Sequence, residues 1–447
     1  MCWVEDEFKD IHFGDERINK RFLKTMKALG QNTAGSVNES IKDKALKKGA
    51  YRLFSNNEFD ALEVSKKHRE KTAKRMLKHP IVLCLADTTT ISHAGKKSIK
   101  DLGSVGGKIK RDNEDVADGF LFHAGIALTP SGIPLGVQSF ICWSRNLKSH
   151  GMGKESEKWS NCFDEASESY TSKTQMIYVA DREADQYNLI KHILDNNKDF
   201  VIRSKHNRKI HGKNYYLQEE IDKNETVVHH EESDQYIKYG ELGFNDPTSL
   251  KAENLKHKNV DFVELNYVHT RLYDKEWTLL TSLPINNKKD ALNVINYYQK
   301  RWQVEEYFKV LKGGGCKVEK SNLRTFDRLV RHLSSIAVIS WRIHYLQQLS
   351  RQRPEEKAIK HISKSELEAL SLNKFKKCTP DIYEWDLSLV IKLIAELGGF
   401  NIIKGKEPGL TTLYKGLFKL EAKAETVSDM KESLGLGAEE NFPLSQR

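Results

Sequence analysis

The spacing of apolar and polar positions changes character several times along the 447 residues. Residues 1–79 have helical spacing that stops before Pro80, whose ring disfavours a helical residue in front of it. From Pro80 the pattern is that of strands, beginning with the continuous apolar run Ile81–Ala86, which is typical of a strand buried on both faces. The chain therefore begins with a predicted helical domain over 1–79, and an α/β domain follows it.

Two of the predicted strands end in an aspartate. Asp87 follows the run at 81–86, and Asp181 follows a second apolar run at 176–180. Ligand sites in α/β sheets lie beyond the carboxyl ends of strands, so the two carboxylates are expected to converge. Each aspartate alone is equally consistent with a turn or helix cap. Further strands are predicted at 119–128, 132–143 and 200–203.

The rest of the pattern divides the chain further. Residues 204–285 alternate short strands with charged turns, which predicts a β-rich insertion. Tyr297–Lys312 has the pattern of one helix closed by three glycines, an apolar-periodic helix follows at 329–349, and 351–378 is polar and linker-like. The predicted segments are a helical domain (1–79), a first core part (80–203), the insertion (204–285), a second core part (286–370) and a helical C-terminal domain (371–447).

Four functional side chains share one face of the predicted helix at 297–312. At about 100° per residue, Tyr298, Arg301, Glu305 and Lys312 fall within an arc of roughly 60°, whereas Glu306 points elsewhere. The simplest interpretation is a solvated face with weak ion pairs. The alternative is a site that binds a metal through the carboxylate and a phosphodiester through the cations. With Asp87 and Asp181, three crowded carboxylates would favour two Mg²⁺ ions about 4 Å apart.

Charge points to a polyanionic partner. The net charge is +10, and residues 1–79 carry 18 Lys and Arg against 12 Asp and Glu, a net of +6. A basic stripe on the first long helix is either a solvated face or a DNA contact; it comprises Arg17, Lys20, Arg21, Lys24 and Lys27. The six cysteines support neither a disulfide framework nor a zinc site. Without a signal peptide or membrane-length apolar run, we expect a cytoplasmic protein that does not contact membranes.

Three motifs resemble those of DDE transposases of the insertion-sequence-four family, which includes the transposon-five transposase. They are Asp87-Thr-Thr, Asp181-Arg-Glu-Ala-Asp-Gln-Tyr187 and the spacing Tyr-x2-Arg-x3-Glu-x6-Lys that begins at Tyr298. The resemblance implies an RNase H-like core. It also implies that Asp87, Asp181 and Glu305 form a triad holding two Mg²⁺ ions, for which Mn²⁺ substitutes. Tyr298, Arg301 and Lys312 would position phosphate.

The resemblance extends to both ends of the chain. Gly49–Asn56 is similar to a segment of the family's N-terminal DNA-binding domain, which favours Arg21 and Lys24 as DNA contacts. Phe200–His206 is similar to a basic segment, which implicates Arg203 and Lys205. Leu397–Phe400 is similar to the domain that pairs two protomers. Trp277 lies 21 residues before Tyr298, where a family member keeps a base-displacing tryptophan; a buried strand aromatic is the alternative.

The implied function is cut-and-paste transposition by a homodimer on double-stranded DNA, associated with the bacterial nucleoid. It would act on the terminal inverted repeats of an insertion sequence, through a hairpin if the family's route holds. The alternatives are a metal-dependent nuclease without strand transfer and a catalytically idle DNA-binding inhibitor of transposition. Residues 211–265 resemble the family least, so no DNA contact is inferred there.

Overall fold

The computed structural model describes residues 3–31, 36–93, 99–105, 118–146, 154–168, 173–225, 227–230, 235–245, 262–272, 275–314, 316–379, 381–402 and 406–435. Within these ranges the α-helices are α1 Trp3–Phe8, α2 Glu16–Gln31, α3 Val37–Ser40, α4 Lys44–Phe54, α5 Ala61–Met76, α6 Lys158–Ser167, α7 Tyr187–Asp195, α8 Leu217–Lys223, α9 Lys288–Gln299, α10 Trp302–Lys309, α11 Phe326–Gln352, α12 Lys364–Phe375, α13 Leu387–Leu397 and α14 Leu410–Ser433. The strands are β1 Ile81–Ser92, β2 Gly103–Ser104, β3 Asp118–Leu128, β4 Pro134–Trp143, β5 Gln175–Ala180, β6 Asp199–Arg203, β7 Val228–His230, β8 Gln235–Asn245, β9 Phe262–Leu272 and β10 Lys275–Thr281.

The sheet is built around β1. Strand β3 pairs with it antiparallel on one side, and β4 pairs antiparallel with β3. On the other side β5 pairs parallel with β1, and β6 pairs parallel with β5. The resulting order, β4-β3-β1-β5-β6, is the strand order of the RNase H-like fold. The predicted fold class is confirmed, and β1 and β5 run in the same direction, as the convergence of Asp87 and Asp181 requires.

The β-rich segment extends this sheet. Strand β10 pairs antiparallel with β6, and β9, β8 and β7 follow in turn. The strands predicted for residues 204–285 therefore share backbone hydrogen bonds with the core, because β6 offers its free edge to β10. Part of the segment that resembles the family least, residues 246–261, lies outside the described residues.

The single helix predicted over 297–312 is wrong in detail. Helix α9 ends at Gln299 and α10 begins at Trp302. Between them the Arg301 amide donates to the Tyr298 carbonyl (2.9 Å) and the Gln303 amide to the Lys300 carbonyl (2.8 Å), which is the tighter three-residue spacing. The helix then widens into a π turn at Val310–Gly314. Both irregularities rotate side chains away from the positions that a regular 100° step predicts.

The predicted linker at 351–378 is also wrong, because it contains α12. A capping box at Ser363 and Glu366 begins this helix. The apolar pattern of α12 is obscured because a charged residue, Glu368, lies on the buried side of the helix and is only 3 % exposed. Its carboxylate accepts hydrogen bonds from Lys431 (2.8 Å) and Tyr383 (3.0 Å), which satisfy it in the interior.

The N-terminal helices share the hydrophobic core of the sheet. Phe22, Phe54 and Phe59 pack with ring centroids 5.7–5.9 Å apart. Phe54 also meets His332 of α11, at 5.3 Å, and the same apolar cluster continues to Leu83 of β1. The DNA-binding candidates at the N-terminus are therefore mounted rigidly on the α/β core.

A buried polar network joins the N-terminus to the edge strand β4. The Val137 amide donates to His68 Nε2 (2.9 Å), and Arg75 Nε donates to the Leu135 carbonyl (2.6 Å). Glu7 accepts from His68 Nδ1 (2.5 Å) and from the Arg75 guanidinium (2.9 and 3.1 Å). Because the strand's free backbone groups are used by these side chains, α1 and α5 protect an edge that would otherwise be open to pairing.

This network predicts acid-sensitive stability. Burial opposes ionisation of Glu7, but His68 and Arg75 outweigh it and lower the pKa of Glu7 from 4.5 to about 2. A carboxylate with a lowered pKa adds stability above its unfolded pKa, and that stability is lost as the pH falls through 4.5 towards 2. Glu7→Gln should therefore lower the free energy of unfolding at pH 7 by about 3 kcal/mol. The gap to the wild type should narrow towards pH 2, as measured by denaturant melts.

Glu5→Gln is the matched control, because Glu5 pairs with Lys27 (2.5 Å) at a far more exposed position. It should cost less than about 1 kcal/mol. An equal loss for both variants would contradict the structural role of the Glu7 network.

Candidate active site

Asp87 and Asp181 come from neighbouring parallel strands. Asp87 lies inside β1, which continues to Ser92 and so does not end at Ala86 as the sequence suggests. The pairing of β1 with β5 nevertheless stops at Leu85, so Asp87 lies just beyond the point where the two strands part. Asp181 directly follows β5 and caps a short 3₁₀ turn by accepting from the Glu183 amide (2.8 Å).

Arg301 joins the first aspartate to Glu305. Its Nη1 donates to Asp87 Oδ2 (3.1 Å) and its Nη2 to Glu305 Oε1 (2.6 Å). Arg301 lies in the tight turn between α9 and α10, and Glu305 lies one turn later on α10. A half-buried guanidinium thus joins Asp87 to Glu305, although Arg301 itself lies 214 positions after Asp87 in the sequence.

The electrostatics of Asp87 show that the carboxylates are crowded. The pKa of Asp87 is raised from 3.8 to about 6, mainly by burial and to a smaller extent by the charges of Asp181 and Glu305. The Thr88 amide and Arg301 lower it without cancelling these effects. Asp181 and Glu305 therefore both lie near enough to Asp87 to disfavour its ionised form.

The donor set suits a divalent cation that prefers oxygen ligands, because all three groups are carboxylates. No group of three or more His, Cys, Asp or Glu side chains within metal-binding geometry occurs among the residues that the structure describes. Arg301 lies between Asp87 and Glu305, so an ion bound by both would take the place of its guanidinium. The residues fit such an ion by chemistry and charge, provided that Arg301 moves.

An open pocket of about 620 Å³ adjoins these carboxylates. Asp87 and Glu305 line it together with Thr88, Thr89, Phe308, Lys309, Lys312 and Gly313. Lys312, in the π turn, donates to Thr89 Oγ1 (3.4 Å) and lies 3.6 Å from a Glu319 carboxylate oxygen. The pocket therefore presents lysine side chains beside the acidic groups, an arrangement that accommodates an anionic ligand.

Tyr298 does not share this pocket. It is 5 % exposed and packs edge-to-face against Trp277 of β10, with ring centroids 5.2 Å apart. Burial raises the pKa of Tyr298, whereas the nearby Arg301 and Arg203 lower it. The predicted common face of Tyr298, Arg301, Glu305 and Lys312 is therefore divided. Glu305 and Lys312 line the pocket, and Arg301 contacts the pocket residues Asp87 and Glu305. Tyr298 packs against Trp277, near Arg203.

The remaining candidates lie outside the pocket. In the basic stripe, Arg17 and Lys20 form ion pairs with Asp15 and Glu16. Arg21 and Lys24 are exposed on α2. Lys205 is exposed in the loop that follows β6. Across the described chain, no helix is both long and apolar enough to cross a membrane.

Sequence reasoning missed two features of this region. Trp302 is 54 % exposed at the start of α10, with Lys309 Nζ 4.8 Å above its ring. The sequence signal that could have identified Trp302 was its position directly after Arg301. Glu306 points away from the pocket as expected, and its carboxylate accepts from Trp302 and Lys309. The second feature that sequence reasoning missed is the buried carboxylate of Asp185.

Two family models and one solved structure are similar to this chain. Residues 162–342 match the family described as transposase DDE domain, and residues 1–59 match the family described as transposase DNA-binding. The DDE match includes Asp181 and Glu305, and the structure adds Asp87 from the preceding strand. A piggyBac transposase synaptic complex with hairpin DNA, solved by cryo-electron microscopy, is similar at 11 % identity and a TM-score of 0.40, over 96 % of this chain and 78 % of that one.

Both matches are to transposase domains, and together they support a DNA transposase of the DDE type as the class of protein. DDE domains of this class generally use divalent metal ions, in keeping with the three carboxylates. The region that matches the DNA-binding family and the region that matches the DDE domain share one hydrophobic cluster.

The position of Arg301 yields a prediction for metal-free protein. Because Arg301 lowers the pKa of Asp87, Arg301→Ala should raise that pKa above about 6. A carboxyl whose folded pKa is raised destabilises the fold at higher pH, where it is forced to ionise. In EDTA the variant should therefore lose about 1–3 kcal/mol of stability at pH 8 and clearly less at pH 5, measured by denaturant melts.

Arg301→Lys retains the charge and is the control, with a smaller loss at pH 8. If Arg301→Ala lost the same stability at both pH values, the guanidinium would not be the counter-ion of these carboxylates.

Proposed function

We propose that the protein is a cut-and-paste transposase of the insertion-sequence-four type, in which Asp87, Asp181 and Glu305 are the catalytic carboxylates. The observation that carries the proposal is the convergence of Asp87 and Glu305 on Arg301, under the charge of Asp181, beside an open pocket with lysines. The match to the DDE domain supports it.

Each step is an in-line displacement at phosphorus. Water attacks one strand at the element end, and the cleaved P–O bond leaves a 3′-hydroxyl. That hydroxyl attacks the opposite strand to form a hairpin, a second water opens the hairpin, and the freed 3′-hydroxyl finally attacks target DNA. In every step the entering oxygen loses a proton and the leaving oxygen gains one.

The side chains of the pocket divide these tasks. Asp87, Asp181 and Glu305 would hold two divalent ions, Mg²⁺ or in its place Mn²⁺, which when bound activate the entering oxygen and stabilise the leaving one. Lys312 would hold a non-bridging phosphate oxygen, since it lines the same pocket as Asp87 and Glu305. Arg301, once released from Asp87, would do the same.

DNA binding outside the pocket is assigned to four further cations, of which Arg203 is partly buried and the others are exposed. Arg21 and Lys24 on α2 would contact phosphates of the terminal inverted repeat, and Arg203 and Lys205 would contact the strand near Asp181. We infer that two protomers pair through the C-terminal helical segment in the synaptic complex. The substrate is chromosomal DNA in the bacterial cytoplasm.

The roles of the carboxylates are tested by isosteric substitution. Asp87→Asn, Asp181→Asn and Glu305→Gln should each reduce nicking and strand joining at least a thousandfold, because charge is removed while shape is kept. DNA binding should stay within a few fold in gel-shift titrations. The substrate is a labelled duplex carrying the inverted repeat that flanks the gene.

Glu306→Gln is the matched control on the same helix and should remain active, because its carboxylate faces Trp302 and Lys309. A dead Glu306→Gln beside an active Glu305→Gln would refute the assignment. Wild-type nicking without joining would identify a nuclease, and binding without nicking would identify an inhibitor of transposition.

Trp277 provides a separate test of the hairpin step. For a hairpin to form, a base near the break must unstack, and flat side chains commonly assist this at a cost of a few kcal/mol. Trp277 is half-buried against Tyr298, so its ring is only partly available. Trp277→Ala should leave first-strand nicking largely intact and reduce the hairpin yield at least tenfold, as measured from both products of one reaction.

An abasic site at the displaced position should partly restore hairpin formation in Trp277→Ala. The competing packing role gives a different result. In that case the melting temperature drops, and nicking and hairpin formation fall together, because truncating a buried tryptophan typically costs about 3–5 kcal/mol.

A further inference from the structure

The loop Ser204–Arg208 folds around one buried carboxylate. Asp185 is 2 % exposed, and its Oδ2 accepts from the amides of Lys205 (2.6 Å) and His206 (3.1 Å). Its Oδ1 accepts from Arg208 Nη1 (2.5 Å), and Arg208 Nη2 donates to the Asp185 carbonyl (2.8 Å). One aspartate thus fixes two successive amides and a guanidinium.

The loop begins beside the second catalytic carboxylate. Strands β5 and β6 pair in parallel up to Ala180 and Ile202, so Asp181 and Arg203 lie at the same end of the sheet. Asp185 follows Asp181 by four residues, after the short 3₁₀ turn. The turn that carries Asp181 and the loop that carries Lys205 are therefore connected through the side chain of Asp185.

The contacts of Asp185 determine where the loop side chains point. An ionised carboxylate is costly to bury unless its oxygens are fully paired, so three donors hold the loop firmly. With the Lys205 and His206 amides turned inward, both side chains are exposed. Arg208 lies between Asp185 and Phe244, with its Cζ 5.5 Å from the centroid of the Phe244 ring. Its side chain is therefore held by contacts on both sides.

We propose that Asp185 is a positioning residue that holds Ser204–Arg208 as a phosphate-binding loop, which seats the DNA strand beside Asp181 through Lys205. This inference rests on the proposed function and deepens it, because it names a binding subsite and the buried group that organises it. Asp185 itself does not touch DNA. A merely structural role, in which Asp185 only stabilises the junction of β6 and the 3₁₀ turn, is the competing explanation.

A double-mutant cycle between Asp185 and Lys205 separates the two explanations. In Asp185→Asn the amide nitrogen faces Arg208, so two donors meet and the loop loosens. In the wild-type background, Lys205→Ala should lower the slope of log affinity against log salt by roughly one unit, as expected for one lost phosphate contact. In the Asp185→Asn background, the same Lys205→Ala change should have no further effect. The probe is the labelled duplex with the flanking inverted repeat.

Arg208→Lys is the second variant, because it weakens the contact with Asp185 while the positive charge remains. In this background, Lys205→Ala should change the salt slope less than it does in the wild type. Leu189→Ala, in the buried face of α7, is the stability control. It should lower the melting temperature but leave the full effect of Lys205→Ala.

Equal effects of Lys205→Ala in all backgrounds would overturn the proposal, as would no effect in the wild type. Either result leaves the transposase assignment intact if wild-type protein still nicks and joins the duplex. Wild-type protein that neither nicks nor joins would instead remove the proposed function, and the loop proposal with it.

Discussion

The candidate active site holds like charges close together. Asp87, Asp181 and Glu305 come from two strands and a distant helix, and their mutual repulsion opposes the packing that brings them together. Arg301 offsets part of this repulsion through its contacts with Asp87 and Glu305. The pKa of Asp87 nevertheless stays raised, at about 6, because burial and the two neighbouring carboxylates together outweigh Arg301 and the Thr88 amide.

The surrounding fold fixes the positions of these side chains. The tight turn at Lys300 and Arg301 directs the guanidinium into the sheet, and the π turn brings Lys312 back towards Thr89. On the other side of the site, Asp185 connects the Asp181 turn to the end of β6. Rigid elements thus fix each side chain that a phosphodiester would meet, which reduces the ordering required when DNA binds.

The sequence predicted much of this arrangement, and the exceptions have physical causes. Continuous apolar runs identified β1 and β5, since strands buried on both faces have no polar alternation. Regular helical geometry placed Tyr298 on the wrong side, because two local changes in hydrogen-bond spacing are invisible in a residue pattern. Helix α12 was missed because Glu368, a charged residue, occupies a buried position and is paired only through tertiary contacts. Asp185 belongs to the motif at 181–187, but its role could not be predicted because its hydrogen-bond donors lie in the loop that follows β6.

The capping of β4 by Glu7, His68 and Arg75 bears on how such an enzyme acquires new target sequences. Many DNA-processing proteins change specificity by exchanging a whole recognition module across a flexible linker. Here α5 supplies the side chains that satisfy the backbone of β4, and phenylalanines of the N-terminal segment belong to the core of the sheet. A transplanted module would have to reproduce those contacts as well as bind its own DNA. If the N-terminal segment contacts DNA as proposed, its recognition can change most easily through single replacements on the exposed faces of α2 and α4, because the buried faces are part of the core.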